Sequence, residues 1–523
     1  MRPDSIETLF DRYGPAYKWL ATVTCLVGIM TMTLGATTVN VAFPAIMGTF
    51  GIGRDQAQLI STGYFAAQTA GMLLSAWLVL SFGERLSFTV AVVGFLIGSA
   101  MSGLAQDTES LLLGRMMQGL SAGIVQPLGM AVTFKVFPRD QKGFSMGIFA
   151  LGNVLAPALG PTLGGIAIDV FSWRYIFLLT IPTAFLALFV GNLFLPSRAM
   201  PKKIPRFDFL GFGMLCVSLA GFLLGFSYGQ RLGWTSTDIL MLFGAGIGCG
   251  TAFVLRQIYA ESPLVNMRVF ANAQFSAAAS IGFFTGAAMF SSFFLMPLFT
   301  QQIQHYSAID AGLLMVPAGL SLIILFPLVG RLSDFVPAYM MICVGMVIFA
   351  IAFFYLSTAD VNTPFWTLVW FTLIVRIGVA CTRSVVNSEA LKSLPTDMVT
   401  QGSSTVNFVR QLGGTIGTNC LVVFLELRIP FHGDAFAAMQ TGASETTREM
   451  RDRLMQLLGE AGVPGPERGS SAFHYLGEVI YAQASTSGFQ DAYFLLALIA
   501  AAGLIPGCIL ARASRSPSVL GKV

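Results

Sequence analysis

Charge is what this chain has least of. Only 11% of its 523 residues are Asp, Glu, Lys or Arg, against roughly 25% in soluble chains. With 55% apolar residues and a mean hydropathy of +0.72, the composition excludes an ordinary soluble domain. It points to an all-α integral membrane protein. The net charge of +4 is too small and too dispersed to suit a nucleic-acid partner. Histidine is scarcer still: His305, His432 and His474 lie far apart in segments expected outside the membrane, so no metal site or catalytic cluster forms from them. The seven cysteines all sit in apolar runs with no CxxC spacing, which makes them small buried hydrophobes, not ligands or disulfides. No GxxxxGK[ST] loop is present to cradle ATP, and no TVGYG filter marks a potassium-type channel. The expectation is therefore a transporter and not an enzyme, with no cofactor and an ion gradient as its energy source.

What the chain has in abundance is long apolar runs. A hydrocarbon core of about 30 Å takes roughly 20 residues of helix. On that rule fourteen spans are expected, near 19–44, 57–80, 87–105, 109–134, 144–168, 174–195, 208–228, 238–256, 273–297, 309–330, 338–357, 364–386, 402–427 and 489–511. Residues Met1 to Lys18 mix acids and bases without a signal-peptide cleavage pattern, so the first span is expected to be retained. Lys and Arg concentrate in every second loop, at Arg85, at Lys135, Arg139 and Lys142, at Arg198 to Arg206, at Arg256 and Arg268, at Arg331, and at Arg383 and Lys392. That bias places both termini in the cytoplasm.

The sequences A-W-L-V-L-S-F-G-E-R (Ala76 to Arg85) and G-R-L-S-D-F-V-P (Gly330 to Pro337) occupy matching positions in two stretches of six spans. A 6+2+6 plan follows: 1–195 as the first half, 196–207 as a basic linker, 208–256 as two inserted helices, 257–511 as the second half and 512–523 as a tail. Within the second half, 428–488 reads as a long polar loop outside, carrying a surface helix over Glu445 to Gly459.

Two helical stripes carry the chemistry. Gly152, Ala156, Gly160 and Gly164 recur every four residues, with Pro157, Pro161 and Gly165 directly behind them. Small-xxx-small stripes let membrane helices approach closely, either as static filler or as a gating seam. Arg115, Gly119, Gly123 and Pro127 share a face of the fourth span. An arginine at membrane depth costs about 2.5–3.5 kcal/mol on insertion scales, so it is normally paired, wet or functional. Arg376 and Arg410 also fall inside spans, whereas Glu426 is the one acid clearly within a span. A cavity short of carboxylates suits anionic or neutral substrates better than lipophilic cations.

These residues resemble the signatures of the major facilitator superfamily, in its fourteen-helix drug:proton antiporter branch of EmrB/QacA type. R-M-M-Q-G-L-S-A-G (Arg115 to Gly123) is similar to the fourth-helix motif, A-P-A-L-G-P-T-L-G-G with W-R-Y-I-F to the antiporter motif, and T-T-V-N-V-A-F-P to the first-helix motif. Smaller echoes are F-D-F-L-G at Phe207, P-L-F-T-Q-Q at Pro297 and V-R-Q-L-G-G at Val409. Two departures stand out. Gly35 occupies the place of the usual first-helix acid, and Leu80 and Ser81 stand where the second-to-third loop usually has Asp-Arg.

The resemblance implies proton-coupled export of amphiphilic drugs or toxic small molecules from the bacterial inner membrane by alternating access. A periplasmic adaptor and an outer-membrane channel are implied as partners. In that frame Arg115, Glu426, Arg376 and Arg410 are the candidates for coupling or charge. The gating seam is Gly152, Pro157, Gly160, Pro161, Gly164 and Gly165. Gly83, Arg85, Gly330, Arg331 and Asp334 form the cytoplasmic gate, and Asn40, Gln68, Gln118, Gln126 and Asn153 are candidate cavity residues. Import or export of a defined metabolite such as a siderophore or fatty acid, a channel, and a non-transporting sensor remain the alternatives.

Overall fold

The structure, a computed structural model, describes residues 4–197, 205–440 and 445–513. Among these the side chains of Asn40, Pro157 and Pro161, all expected site residues, lie outside the description. The described residues are helical throughout, with no strand. In chain order the helices are α1 (Ile6–Tyr13), α2 (Tyr17–Phe50), α3 (Arg54–Gly103), α4 (Thr108–Val136), α5 (Lys142–Val170), α6 (Tyr175–Leu178), α7 (Thr180–Phe194), α8 (Phe209–Leu232) and α9 (Thr237–Tyr259). They continue with α10 (Ala273–Gln302), α11 (Ala308–Leu332), α12 (Ala338–Leu356), α13 (Phe365–Lys392), α14 (Val399–Met439), α15 (Glu445–Glu460), α16 (Gly465–Ala502) and α17 (Leu504–Ala513).

Eleven segments among the described residues are long and apolar enough to cross a bilayer. The expected count is higher for local reasons. The expected second and third spans run into one another as α3, a 50-residue helix broken only at Gly83. There φ is 81° and ψ is 171°, a conformation that favours glycine. Helix α4, 29 residues long, stands outside the eleven because Arg115, Gln118 and Gln126 dilute it, and several side chains of α5, also 29 residues, lie outside the described residues.

Close approach through glycine assembles the bundle, as expected where lipid offers no hydrophobic drive between helices. A Cβ on Gly119 would strike the carbonyl of Tyr64, and one on Gly123 the carbonyl of Gln68, so α4 lies directly on α3. In the second group Gly286 of α10 abuts the main chain of Arg410, while Gly413 of α14 abuts that of Phe283. Helices α8 and α9 pair through Gly221 and Gly246, and Ser218 Oγ donates to the Gly246 carbonyl at 2.8 Å. The outward side chains of α9, among them Leu240, Met241, Ile247 and Leu255, are exposed and apolar, as a lipid-facing helix requires.

The stretch 428–488, expected as a long loop, is helical almost throughout. Helix α14 runs on to Met439 and α16 starts at Gly465, leaving α15 between them; the expected surface helix at Glu445 to Gly459 is α15. Arg428 and His432 of α14 both reach Asp491 of α16, at 2.6 and 2.7 Å, clasping the two extensions together. Residues 441–444 lie outside the described residues.

Candidate functional site: buried arginines and the seam between helix groups

Two helix groups, α2–α7 and α10–α17, meet at the end of the bundle that carries Lys135, Lys142 and Lys392. The closest line of approach is α5 against α11. A Cβ on Gly143 would strike Ser333 Oγ and come within 2.7 Å of Asp334 Oδ1; one on Gly147 would strike the Phe326 carbonyl. Asp334 then caps the start of α5 from across the seam, accepting the N–H of Gly143 at 2.7 Å and of Phe144 at 3.1 Å. A carboxylate at a helix N-terminus also answers the positive end of the helix dipole. Lys392 stands 3.6 Å from the same carboxylate. A second crossing joins α4 to α14: Ser403 Oγ donates to the Pro127 carbonyl at 2.6 Å. Lys135 bridges Glu84 at 3.0 Å and Thr400 at 3.2 Å.

Of the residues expected at this gate, Gly330 and Asp334 lie in the seam, whereas Arg85 and Arg331 do not. Arg85 turns back to its own group, with Nε donating to the Leu195 carbonyl at 2.7 Å and Nη2 to Asp4 at 3.0 Å. Arg331 is exposed. Gly83 is the hinge of α3 described above. The expected gating stripe on α5 also faces inward to its own group: a Cβ on Gly152 meets Leu26, one on Gly160 meets Thr37, and one on Gly164 meets Thr38, all of α2. Gly165 has open space around it. The glycines that touch the other group are Gly143 and Gly147, which precede the stripe on α5 and lie nearer the basic end. Their own G-x-x-x-G spacing was available in the sequence as a signal.

The arginines are the other feature. Arg115 is fully buried. Its Nη1 donates to the main-chain oxygen of Gly35 at 2.9 Å and to Gln118 Oε1 at 2.8 Å, and its Cζ lies 4.3 Å from the Tyr64 ring centroid. Gln118 in turn donates to Ser99 at 2.8 Å. The missing acid at position 35 is thus replaced by a carbonyl and an aromatic face. Gln126 and Asn153 are also brought together, at 2.8 Å, across α4 and α5; Gln68 is half-buried on α3, with its carbonyl against Gly123 of α4. In the second group Arg376 is buried with Cζ 4.0 Å from the centre of the Phe293 ring. Arg410 is buried and donates to Asn387 Oδ1 at 3.2 Å and to Asn407.

Arg383 was assigned by sequence to a basic loop, and the structure corrects this. Helix α13 runs on to Lys392, and Arg383 is buried inside it, 5% exposed, beside Arg410. Arg376 and Arg383 are one heptad apart on a single face, which is the signal that could have found it. The longer α13 also holds a second carboxylate, the half-buried Glu389. Glu426 is half-buried in α14 and, among the described residues, pairs with none of these arginines. None of Arg115, Arg376, Arg383 and Arg410 forms an ion pair among the described residues.

The F-D-F-L-G echo resolves into a pin for the α8–α9 pair. Asp208 caps α8 through the Gly211 N–H at 2.9 Å and accepts from Arg256 at 2.7 Å and Gln257 at 3.2 Å. Burial pushes this carboxyl up, but the Gly211, Arg256 and Gln257 donors outweigh it and hold it below its ordinary value.

A glycine-bonded helical bundle with two groups meeting at one end and unpaired arginines inside defines a class, that of polytopic membrane transporters. The chain belongs to the Major Facilitator Superfamily, whose signature matches residues 25–418. It is 28% identical over 484 residues to the uncharacterized MFS-type transporter YhcA of Bacillus subtilis (strain 168), covering 92% of this chain and 91% of that one. It is 27% identical over 402 residues to the multidrug export protein EmrB of Haemophilus influenzae, covering 76% and 79%. These relatives bear out the resemblance to the drug:proton antiporter branch and make the chain a transporter, not an enzyme. The crystal structure of the human organic anion transporter MFSD10 (TETRAN) superposes with a TM-score of 0.59 over 94% of this chain and 99% of that one; at 13% identity this likeness shows the fold alone.

Proposed function

We propose that this chain is a proton-driven exporter of amphiphilic toxic molecules, working by alternating access in a bacterial inner membrane and favouring anionic or neutral substrates. In this reading the bundle crosses the membrane fourteen times in a 6+2+6 plan, with Gly83 dividing α3 into two passes and α4 and α5 each crossing once. Both termini and the basic end of the seam are cytoplasmic, following the distribution of Lys and Arg. The seam is the cytoplasmic gate, and α14 to α16 project outside, where an adaptor protein would dock.

The observation that carries the substrate reading is the set of four buried arginines, Arg115, Arg376, Arg383 and Arg410, with no carboxylate partner among the described residues. Positive charge desolvated inside a bundle repels a lipophilic cation and offers an anion its counter-charge. A proton moving down the membrane potential supplies about 2.3 kcal/mol per 100 mV, enough to drive export coupled to it.

The test is transport in proteoliposomes with an imposed pH gradient, comparing an alkyl carboxylate with a quaternary ammonium dye of equal hydrophobicity. Gradient-dependent movement of the carboxylate at several times the rate of the dye is expected. Equal rates would overturn the charge preference, and movement indifferent to the gradient would overturn proton coupling.

A further inference from the structure

We infer that Arg383 and Arg410 form a binding site for one small monovalent anion, set between α10, α13 and α14 beside the seam. A cavity of about 10 Å³ lies there, lined by Arg383, Asn387 and Arg410 with Gly282, Thr285 and two valines. That is about the space of one water-sized occupant, and a halide would enter it with a small shift of the lining side chains. Every residue lining it is buried.

The chemistry of the lining is one-sided. Arg383 Nε, Arg410 Nε and Asn387 Nδ2 are buried nitrogens with no hydrogen-bond acceptor. The other Arg383 contact is a thioether, Met289 Sδ at 3.6 Å, which is a weak acceptor. The Asn387 oxygen is already engaged by Arg410, so the amide turns its donor side to the remaining space. Two guanidiniums line one cavity, and guanidinium does not deprotonate in proteins. Charge buried without a counter-charge is strongly unfavourable, and like charges side by side make it worse. A water molecule satisfies donors but cancels no charge; an anion does both.

The site is coupled to the seam by a short chain of hydrogen bonds. Asn407 accepts from Arg410, and its amide lies 3.0 Å from Met130 Sδ of α4 in the opposite group. Ser403, one turn earlier on α14, donates across to Pro127. An anion that fixes Arg410 therefore also fixes the face of α14 that closes the seam. The inference concerns binding, and it stands whether or not the exported substrate is anionic.

The anion has two sources with the same chemistry, a dissolved halide or the carboxylate end of a substrate. The experiment takes the purified full-length protein and titrates bromide against gluconate at fixed ionic strength, following thermal unfolding. A melting shift that saturates with bromide is expected. It should be lost in Arg383→Gln and in Arg410→Gln but kept in Arg453→Gln, which removes an exposed arginine on α15. No saturable difference between bromide and gluconate overturns the site, and so does a shift that survives in a folded Arg383→Gln or Arg410→Gln variant. Should neither variant fold, the anomalous signal of bromide in wild-type crystals decides: a peak between the two arginines upholds the site, and its absence there overturns it. Adding decanoate to the bromide titration then identifies the source. Displacement of bromide means that the site takes the carboxylate of a substrate, and undiminished bromide binding means a resident inorganic ion; both results uphold an anion site.

Discussion

The carboxylate of Asp334 accepts the main-chain N–H of Gly143 at 2.7 Å, joining the end of α11 to the first turn of α5 in the other helix group. The side chain of Asp334 is 6% exposed, so the bond is largely shielded from water. A hydrogen bond to a charged group contributes about 1.5–3 kcal/mol. Losing it should open the seam by roughly tenfold or more. The check is labelling by a membrane-impermeant maleimide of a cysteine placed at Val329, a buried residue next in sequence to the seam glycine Gly330, in a background without the native cysteines. Asp334→Ala should raise the labelling rate about tenfold, and an unchanged rate would remove Asp334 from the gate.

The glycines of α5 divide into two jobs, and substitutions should separate them. A Cβ on Gly147 collides with the Phe326 carbonyl across the seam, so Gly147→Ala should block closure and abolish transport in protein that still folds. Gly160→Leu acts inside one group, against Thr37 of α2. Overpacking there should cost about 1–3 kcal/mol and show as a lower melting temperature. Gly165→Ala meets open space and should change neither property. Thermal melting and vesicle transport, measured on all three, distinguish these outcomes. A Gly147→Ala protein transporting at the wild-type rate would mean the seam does not need this contact.

Much of this was legible in the sequence, because spans and glycine stripes are composition and period, which local reading captures. The helical identity of 445–459 came from the same source. What sequence could not supply was which neighbour a stripe faces. Gly160 and Gly147 lie on the same helix, yet one meets α2 and the other α11. Boundaries set by hydropathy also fail at polar ends: α13 runs past the expected end at 386 to Lys392, which brings Glu389 into the helix, while the charge bias groups Arg383 with Lys392 although it lies inside the expected span. Polar extensions of α14 and α16 likewise read as loop, since hydropathy reports where the membrane ends and not where a helix does. The carbonyl that meets Arg115 was invisible because backbone groups carry no letter.

Asp208 should show itself through pH. Its folded-state carboxyl is held below its ordinary value of 3.8, so the charged form stabilises the fold above that value. The contribution is lost as pH falls through the lower folded-state value. Asp208→Asn should lower the melting temperature of the detergent-solubilised protein at neutral pH through loss of the charge facing Arg256, because Asn keeps the cap on Gly211. The gap between wild type and variant should narrow as the pH is taken below 4. A gap independent of pH would mean that the carboxylate's charge is not what pins α8 to α9.

The outer helices test the adaptor. Helix α15 is 16 residues long, with its charged side chains exposed and its two ends tied to α14 and α16. Replacing Glu445–Glu460 by a short flexible linker leaves the seam and the arginines untouched. Vesicle transport should remain near wild type while whole-cell resistance in a double-membraned host falls. Equal loss in both assays would make α15 part of the transport cycle instead of a docking element.

Gly35 and Arg115 offer the sharpest test of substrate charge. Arg115 Nη1 already rests 2.9 Å from the Gly35 carbonyl, so a carboxylate grown from position 35 starts within reach of the guanidinium. The room is limited: a Cβ there comes 3.0 Å from the tip of the Phe95 ring, which is the mobile end of that side chain and can yield. Gly35→Ala measures the steric cost alone. Gly35→Asp adds the ion pair, and inside the bundle such a pair neutralises one of the four buried positive charges. The ratio of quaternary ammonium to alkyl carboxylate transport should therefore rise several-fold in Gly35→Asp relative to Gly35→Ala. In Gly35→Asp combined with Arg115→Gln the new carboxylate is unpaired, and the ratio should rise further or the protein should lose stability. Identical ratios in Gly35→Ala and Gly35→Asp would show that Arg115 is a fixed structural charge, tied by Gly35, Gln118 and Tyr64, and that substrate charge is read elsewhere.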